Sequence, residues 1–194
     1  MIPAITVGLR PFGSKPVLPA ESPAALSPVS ALLATISALP GGGVYLGFRL
    51  EGCIEALRVP EMETPDPWPL WQHTCFEAFL SGVGEERYRE YNFSPAGLWA
   101  GSEFRRYREI NCGLEGEGNP IISSARSGDA LTLAVELPSV LLPGGSVWKV
   151  GLSAVIERAD GQLDYWAVHH PAERPDFHHS GGWMLQLDTR LSAQ

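Results

Sequence analysis

Short stretches of alternating apolar and polar residues recur along most of the chain, and each ends at a turn signal. The clearest pair is residues 29–39 and 44–50, which flank the turn Pro40-Gly41-Gly42-Gly43. A period of two places alternate side chains on opposite faces of a strand, and glycine-rich turns join antiparallel strands. The 21 glycines and 17 prolines among 194 residues agree with such a turn-rich chain. The pattern therefore predicts an all-β fold, a β-sandwich.

The same reasoning predicts the remaining strands and the domain organisation. Further strands are expected at 71–81, 87–94, 98–108, 119–126, 130–137, 147–158, 162–169 and 182–188. Prolines at positions 60, 65, 67 and 69 predict a surface loop before residue 71, because proline cannot donate to a strand ladder. Residues 1–28 are also rich in proline and are expected to form an irregular N-terminal arm with at most one edge strand. Residues 1–194 are predicted to be a single domain.

Charge, hydropathy and cysteine content exclude several classes of partner. The formal net charge of −8 would repel a phosphate backbone, so no nucleic-acid partner is expected. No apolar run reaches the ~18 residues of a membrane span, so no membrane partner is expected either. The first residues do not resemble a signal peptide, and the three cysteines form no paired or metal-binding motif. These features predict reduced thiols and a cytoplasmic location.

Two segments rich in aromatic and polar residues, 68–108 and 165–179, are the candidate functional regions. In the predicted strand 71–81, Trp71, His73 and Glu77 share one face. If the predicted strands are neighbours in one sheet, this face also carries Asn92, Glu157 and an arginine, Arg105 or Arg106.

Such a surface can hold a sugar, because aromatic rings stack on its C–H faces while planar polar groups bond its hydroxyls. Trp99 and Trp166 are further candidates for stacking. Two alternatives remain open for these residues: the polar group can form an internal network that fixes strand order, and the tryptophans can pack in the core.

The histidine-rich segment His169 to His179 raises metal or haem binding as a second hypothesis. Its candidate ligands are His169, His170, Asp176, His178 and His179. Their spacing matches no known metal motif, and adjacent histidines on a strand point to opposite faces. No nucleophile elbow or phosphate-binding loop is present, so no catalytic residue is predicted, and no cofactor is assigned.

The strings LWQHTCFEAFL, YREYNFSPAGLWAGSEF and YWAVHHPAERPDFHH resemble the DOMON-like group related to family-9 carbohydrate-binding modules. The similarity spans about residues 40–188. It implies an immunoglobulin-like, jelly-roll-type antiparallel β-sandwich of two sheets, with relatives that bind sugars or haem without catalysis. By analogy of position, Trp71 and Glu77 would contact a sugar, together with Trp99 or Trp166.

The leading expectation is therefore a non-catalytic module that binds a small, sugar-like molecule on a sheet face. The alternatives are the metal- or haem-binding protein described above and a structural module whose polar cluster only stabilises the fold. The sequence does not indicate an oligomeric state.

Overall fold

The computed structural model of the chain describes residues 4–13, 27–61, 69–114 and 116–192. Within these ranges the backbone forms thirteen strands and no α-helix. The strands are β1 (Ile5–Gly8), β2 (Arg10–Pro11), β3 (Val29–Ala38), β4 (Val44–Gly52), β5 (Cys75–Gly82), β6 (Tyr88–Phe93), β7 (Trp99–Arg106), β8 (Glu109–Gly113), β9 (Ile121–Ser127), β10 (Ala130–Leu137), β11 (Val147–Glu157), β12 (Leu163–Ala167) and β13 (Leu185–Asp188). Short 3-10 helices occur at Ile54–Ala56, Leu70–Gln72, Ser139–Leu141, Ser180–Gly182 and Thr189–Ser192.

The strands form two antiparallel sheets, which confirms the predicted β-sandwich. The small sheet has the order β1-β3-β4-β10-β9. The large sheet has the order β2-β12-β11-β5-β6-β7-β8, and β13 also pairs with β11. At eleven residues, β11 is long enough for β13 to pair with residues 147–150 while β12 pairs with residues 153–157.

The core lies between the two sheets and follows the alternation of the sequence. From the small sheet it receives the inward residues of β3, β4 and β10, including Ile36, Leu46 and Leu133. From the large sheet it receives residues such as Phe76 and Tyr91. The intervening residues of the large sheet, such as Glu77 and Phe79, must point to its outer face because strand side chains alternate.

Three predictions about the backbone need correction. Residues 71–74 precede β5 and are not part of it, because residues 70–72 form a 3-10 helix directly after Pro69. The predicted strand 98–108 corresponds to β7, which ends at Arg106, and β8, for which no strand was predicted, pairs with it in a hairpin. The proposed arm over residues 1–28 contains two short strands, β1 and β2, where at most one was expected, and each lies at the edge of a different sheet. Residues 1–3 and 14–26 of that arm lie outside the described residues.

None of the helices in the described ranges is long and apolar enough to cross a membrane.

Candidate functional site

A cavity of about 370 Å³ opens on the outer face of the large sheet. Its volume falls within the range of about 300–1,000 Å³ that is typical of small-molecule sites. The floor is formed by β5, β6, β7 and β11, and the segment 169–183 passes beside it. Its polar lining residues are Glu77, Glu90, Asn92, Ser102, Arg108 and His178, and its aromatic lining residues are Trp71, Phe79, Phe104, Tyr165 and Phe177.

A carboxyl group and an amide lie side by side at the base of the cavity. Glu77 of β5 is directly opposite Asn92 of β6 in the strand register, so both side chains leave the sheet on the same face. Glu77 is only 2% exposed. Its contacts are Ser153 Oγ, which donates to Oε2 at 3.4 Å, and the Cys75 thiol, which lies 3.7 Å from Oε1.

A second carboxyl group, that of Glu90, lies beside this pair. Glu90 is two residues from Asn92 on β6, and Asn92 Nδ2 donates to Glu90 Oε1 at 3.1 Å. Burial, followed by the nearby charge of Glu90, raises the pKa of Glu77 to about 8. Burial also raises the pKa of Glu90. The floor therefore contains two carboxyl groups of which one holds a proton near neutral pH.

Small residues on β7 leave room above this floor. Ala100 is opposite Asn92, and Ser102 is opposite Glu90. Because these two side chains are short, they cannot fill the space over their neighbours on β6, and the cavity results.

Arg108 reaches the cavity from the turn between β7 and β8. Its φ of 55° is the only positive φ of a non-glycine residue among those described. Asp176 fixes the guanidinium, with Nη2 3.0 Å from Oδ1, and Tyr107 donates its hydroxyl to the other oxygen of Asp176 at 2.7 Å. Burial opposes ionisation of Asp176, but the hydrogen bonds from Tyr107 and Arg108 prevail and lower its pKa.

His178 forms part of the wall as a neutral ring. Burial and the adjacent Arg108 charge lower the pKa of His178 to about 4. The backbone N–H of Arg108 donates to the Tyr88 hydroxyl at 3.1 Å, and that hydroxyl lies 2.8 Å from His178 Nδ1. A carboxylate oxygen of Glu90 lies 3.8 Å from the other ring nitrogen, Nε2, on the cavity side. This negative charge favours the proton of the neutral ring on Nε2, and Nδ1 then accepts from the Tyr88 hydroxyl.

Aromatic rings form the rest of the wall and the rim. Trp71 is 47% exposed and projects from the 3-10 helix Leu70–Gln72 at the cavity edge. Tyr165 of β12 and Phe177 of the segment 169–183 contact each other, with ring centroids 6.1 Å apart. The cavity thus has apolar sides above a polar floor.

The segment 169–183 is attached to the sheet by Trp183. Its ring is stacked on Phe79, with centroids 5.9 Å apart, and it lies directly over Gly151 of β11. Its Nε1 donates to the Phe177 carbonyl at 2.9 Å. These contacts position Phe177 and His178 beside the cavity.

The structure brings three of the predicted ligand-binding residues together at the cavity: Trp71, Glu77 and Asn92. His73 and Glu157 do not line it. They form a separate pair in which His73 Nδ1 lies 2.7 Å from Glu157 Oε2, and Arg58 contacts the other oxygen of Glu157 at 3.0 Å.

The remaining three predicted residues do not line the cavity either, and each has a clear physical reason. Arg105 is exposed, and its Nε donates to Asn111 at 2.9 Å. Trp99 packs against the core cluster between the sheets. Trp166 is 4% exposed in that same core, because it alternates with Tyr165, which takes the outer face. These positions leave Trp166 and Trp99 no surface on which a sugar in the cavity could stack.

The predicted metal ligands do not converge, so the structure does not support the hypothesis of a metal site in the histidine-rich segment. Among the described residues, no three His, Cys, Asp or Glu side chains are grouped so as to hold a metal ion. His170 bonds the Arg10 carbonyl, His179 accepts from the Gly181 N–H, and His169 is exposed. Asp176 is bonded to Arg108, and His178 to Tyr88.

Sequence reasoning missed Glu90, Ser102 and Arg108. For Glu90 a signal was available: it lies two residues from Asn92 on one strand, so both side chains must leave the sheet on the same face. Arg108 had no such signal, because its direction depends on the conformation of the β7–β8 turn.

Comparison with solved structures supports the fold. A candidate carbohydrate-binding protein from Bacteroides uniformis matches 81% of this chain and 78% of its own, with 20% identity and a TM-score of 0.63. A family-9 carbohydrate-binding module from Caldicellulosiruptor kristjanssonii, solved with cellotriose, matches 84% of this chain and 78% of its own, with 8% identity and a TM-score of 0.52. At these identities the chain shares their β-sandwich fold. No protein-family model and no curated protein matches the sequence.

Proposed function

We propose that this protein binds a small carbohydrate, or a similar polyol, in the cavity of the large sheet and does not alter it chemically. The observation that carries the proposal is the arrangement of Glu77 opposite Asn92 at the base of an aromatic-walled cavity of about 370 Å³.

A sugar ring has two chemical characters, and the cavity offers a partner for each. The C–H faces are apolar and pack well on aromatic rings, which Trp71 and Tyr165 supply near the opening. The hydroxyl groups both donate and accept, and the floor supplies a carboxyl group and an amide for them. Ligand hydroxyls would also complete the hydrogen bonding of Glu77, whose protein contacts are long.

Both solved structures described above are consistent with this function. One is described as a candidate carbohydrate-binding protein, and the other is a carbohydrate-binding module in complex with cellotriose. We propose in addition that the chain is a DOMON-like relative of such modules. Its three free cysteines, all among the described residues, support a reducing and therefore cytoplasmic setting.

Titration with a panel of monosaccharides and disaccharides, amino sugars included, tests the proposal. Because Trp71 lines the cavity, a bound sugar should change tryptophan fluorescence, and calorimetry should give the same dissociation constant. Trp71→Ala should weaken binding at least tenfold, which corresponds to the loss of about 1.4 kcal/mol of stacking.

The matched control is Ile121→Ala, which removes an apolar side chain that is 68% exposed on the small sheet. This variant should bind as the unaltered protein does. A panel that produces no fluorescence change and no heat would overturn the proposal, as would equal binding by Trp71→Ala and the unaltered protein.

A further inference from the structure

The charges that line the cavity are unbalanced. Glu77 and Glu90 supply two carboxyl groups, and Glu90 has a side chain that is 13% exposed. Among the described residues, Glu77 forms no ion pair with a basic side chain. A buried carboxylate without a positive partner is costly, so proteins pair it or hold it protonated.

The two basic residues at the cavity do not correct this imbalance. Burial outweighs the charge of Arg108 and raises the pKa of Glu90. Arg108 also forms an ion pair with Asp176 at 3.0 Å, and these two side chains are neutral together. His178 accepts from Tyr88 and remains neutral at physiological pH, since its pKa is about 4. The cavity therefore lacks one positive charge to balance its carboxyl groups.

The walls are also suited to a cation. Five aromatic rings, those of Trp71, Phe79, Phe104, Tyr165 and Phe177, line the same cavity as the two carboxyl groups. The face of an aromatic ring attracts a positive charge through its quadrupole, and this attraction grows when water is excluded. Aromatic walls over carboxyl groups form a suitable environment for an ammonium group.

Resting on the proposed function, we infer that the preferred ligand carries a protonated amine, so that the cavity selects an amino sugar over the corresponding neutral sugar. The ammonium group lies over Glu77 and Glu90 and donates to both carboxylates. The sugar ring contacts the aromatic rim around Trp71.

Binding of this kind exchanges one positive charge for another. The ammonium group adds one positive charge and Glu77 releases one proton to solvent, so the occupied cavity has the same total charge as the empty cavity. Two titratable groups act directly on Glu77: Cys75 on its own strand and Glu90 on β6. The other titratable and charged groups of the cavity lining are Tyr165, Arg108 and His178, and Asp176 pairs with Arg108.

Three matched pairs of sugars test the inference: glucose with glucosamine, galactose with galactosamine, and mannose with mannosamine. In at least one pair the amine should bind ~10- to 100-fold more tightly, the gain expected of hydrogen bonds to charged groups. The N-acetyl form should lose this advantage because it has no positive charge. Calorimetry at about pH 6.5, in two buffers of different ionisation enthalpy, should detect proton release on binding.

Glu90→Gln should reduce the ratio of amine to neutral affinity towards one. Glu136→Gln, which removes an equal charge from an exposed position on the small sheet, should leave the ratio unchanged. If Glu90→Gln does not fold, the ligand pairs with the unaltered protein decide the question alone.

Equal affinity for the amine and the neutral sugar would overturn this inference and leave the proposed function intact. Failure of every amine and every neutral sugar to bind would overturn both.

Discussion

The two outer faces of the sandwich differ in how deeply their side chains are buried. On the small sheet, inward residues of β3 and β4 are buried and outward ones are half-buried or exposed. On the large sheet, β5 is buried at all eight positions. A strand that is buried on both faces must be covered on both, and here the segment 169–183 and the cavity walls supply the second cover. The difference locates the site, because polar groups such as Glu77 are removed from water only under that cover.

The largest effect is expected from Phe79→Ala. Phe79 points to the outer face of the large sheet, yet it is only 1% exposed and contacts Trp183, Tyr88 and His178. Removing its ring should lower the free energy of unfolding by about 3–5 kcal/mol, as for a core phenylalanine. Urea denaturation measures this change.

The matched control is Leu33→Ala, on the outer face of the small sheet, where Leu33 is 41% exposed. Its cost should stay below about 1 kcal/mol. Similar losses for both variants would mean that the two faces are equally covered and that the comparison fails.

Much of the fold could be predicted because strand alternation and turn residues are local signals. The predicted strand 130–137 coincides with β10, and 147–158 exceeds β11 by one residue. The start of β5 was missed because alternation in Trp71-Gln72-His73 continues into a 3-10 helix, where it no longer reports the face of a sheet. The hairpin of β7 and β8 was missed because its turn, at Tyr107-Arg108, lacks glycine and uses Arg108 at positive φ.

The polar floor of the site was predictable where two neighbouring residues lie on adjacent strands. Glu77 and Asn92 belong to one hairpin, and the alternation of side chains along its two strands was enough to expect them on the same face. Arg108 and His178 come from a turn and from the segment 169–183, and their approach depends on tertiary contacts with Asp176 and Tyr88. The metal hypothesis failed for the same reason, since closeness in sequence did not determine where each histidine points.

The pH dependence of the free energy of unfolding should also distinguish the outer face of the large sheet from that of the small sheet. The pKa of Glu77 rises from an ordinary value of 4.5 to about 8 in the folded protein. Between these values the folded state holds more protons than the unfolded state, so the free energy of unfolding falls as pH rises. The slope attributable to Glu77 should be at most ~1.4 kcal/mol per pH unit and should vanish above about pH 8.

Urea denaturation at intervals across this pH range measures the slope. Glu77→Gln should flatten the profile because the amide does not titrate. Glu136→Gln, on the small sheet, should retain the slope of the unaltered protein. An unchanged slope in Glu77→Gln would show that Glu77 does not hold its proton in the folded state.

Two glycines that each lie under an aromatic ring offer a closer comparison. A Cβ at Gly151 would overlap the indole of Trp183, which is only 4% exposed. A Cβ at Gly47 would lie 2.9 Å from the hydroxyl of Tyr45, which is the end of a half-buried, flexible side chain. Gly151→Ala should therefore cost about 2 kcal/mol, since overpacking displaces Trp183, whereas Gly47→Ala should cost much less.

Limited proteolysis gives a second measurement for this pair. Displacement of Trp183 should make the segment 169–183 easier to cleave in Gly151→Ala, and Gly47→Ala should be cleaved as the unaltered protein is. Equal resistance of both variants would argue that Trp183 does not hold the segment on the sheet.

The smallest effect concerns a single hydroxyl group on each face. The Tyr88 hydroxyl accepts from the Arg108 N–H and donates to His178 Nδ1, so Tyr88→Phe leaves two polar groups without this partner. The expected loss is about 1 kcal/mol in the free energy of unfolding. Tyr45→Phe on the small sheet should be nearly neutral, because Tyr45 is only half-buried and solvent can reach its side chain. Equal results for the two variants would mean that solvent reaches Tyr88 as well, and the cover over the large sheet would then be looser than its contacts indicate.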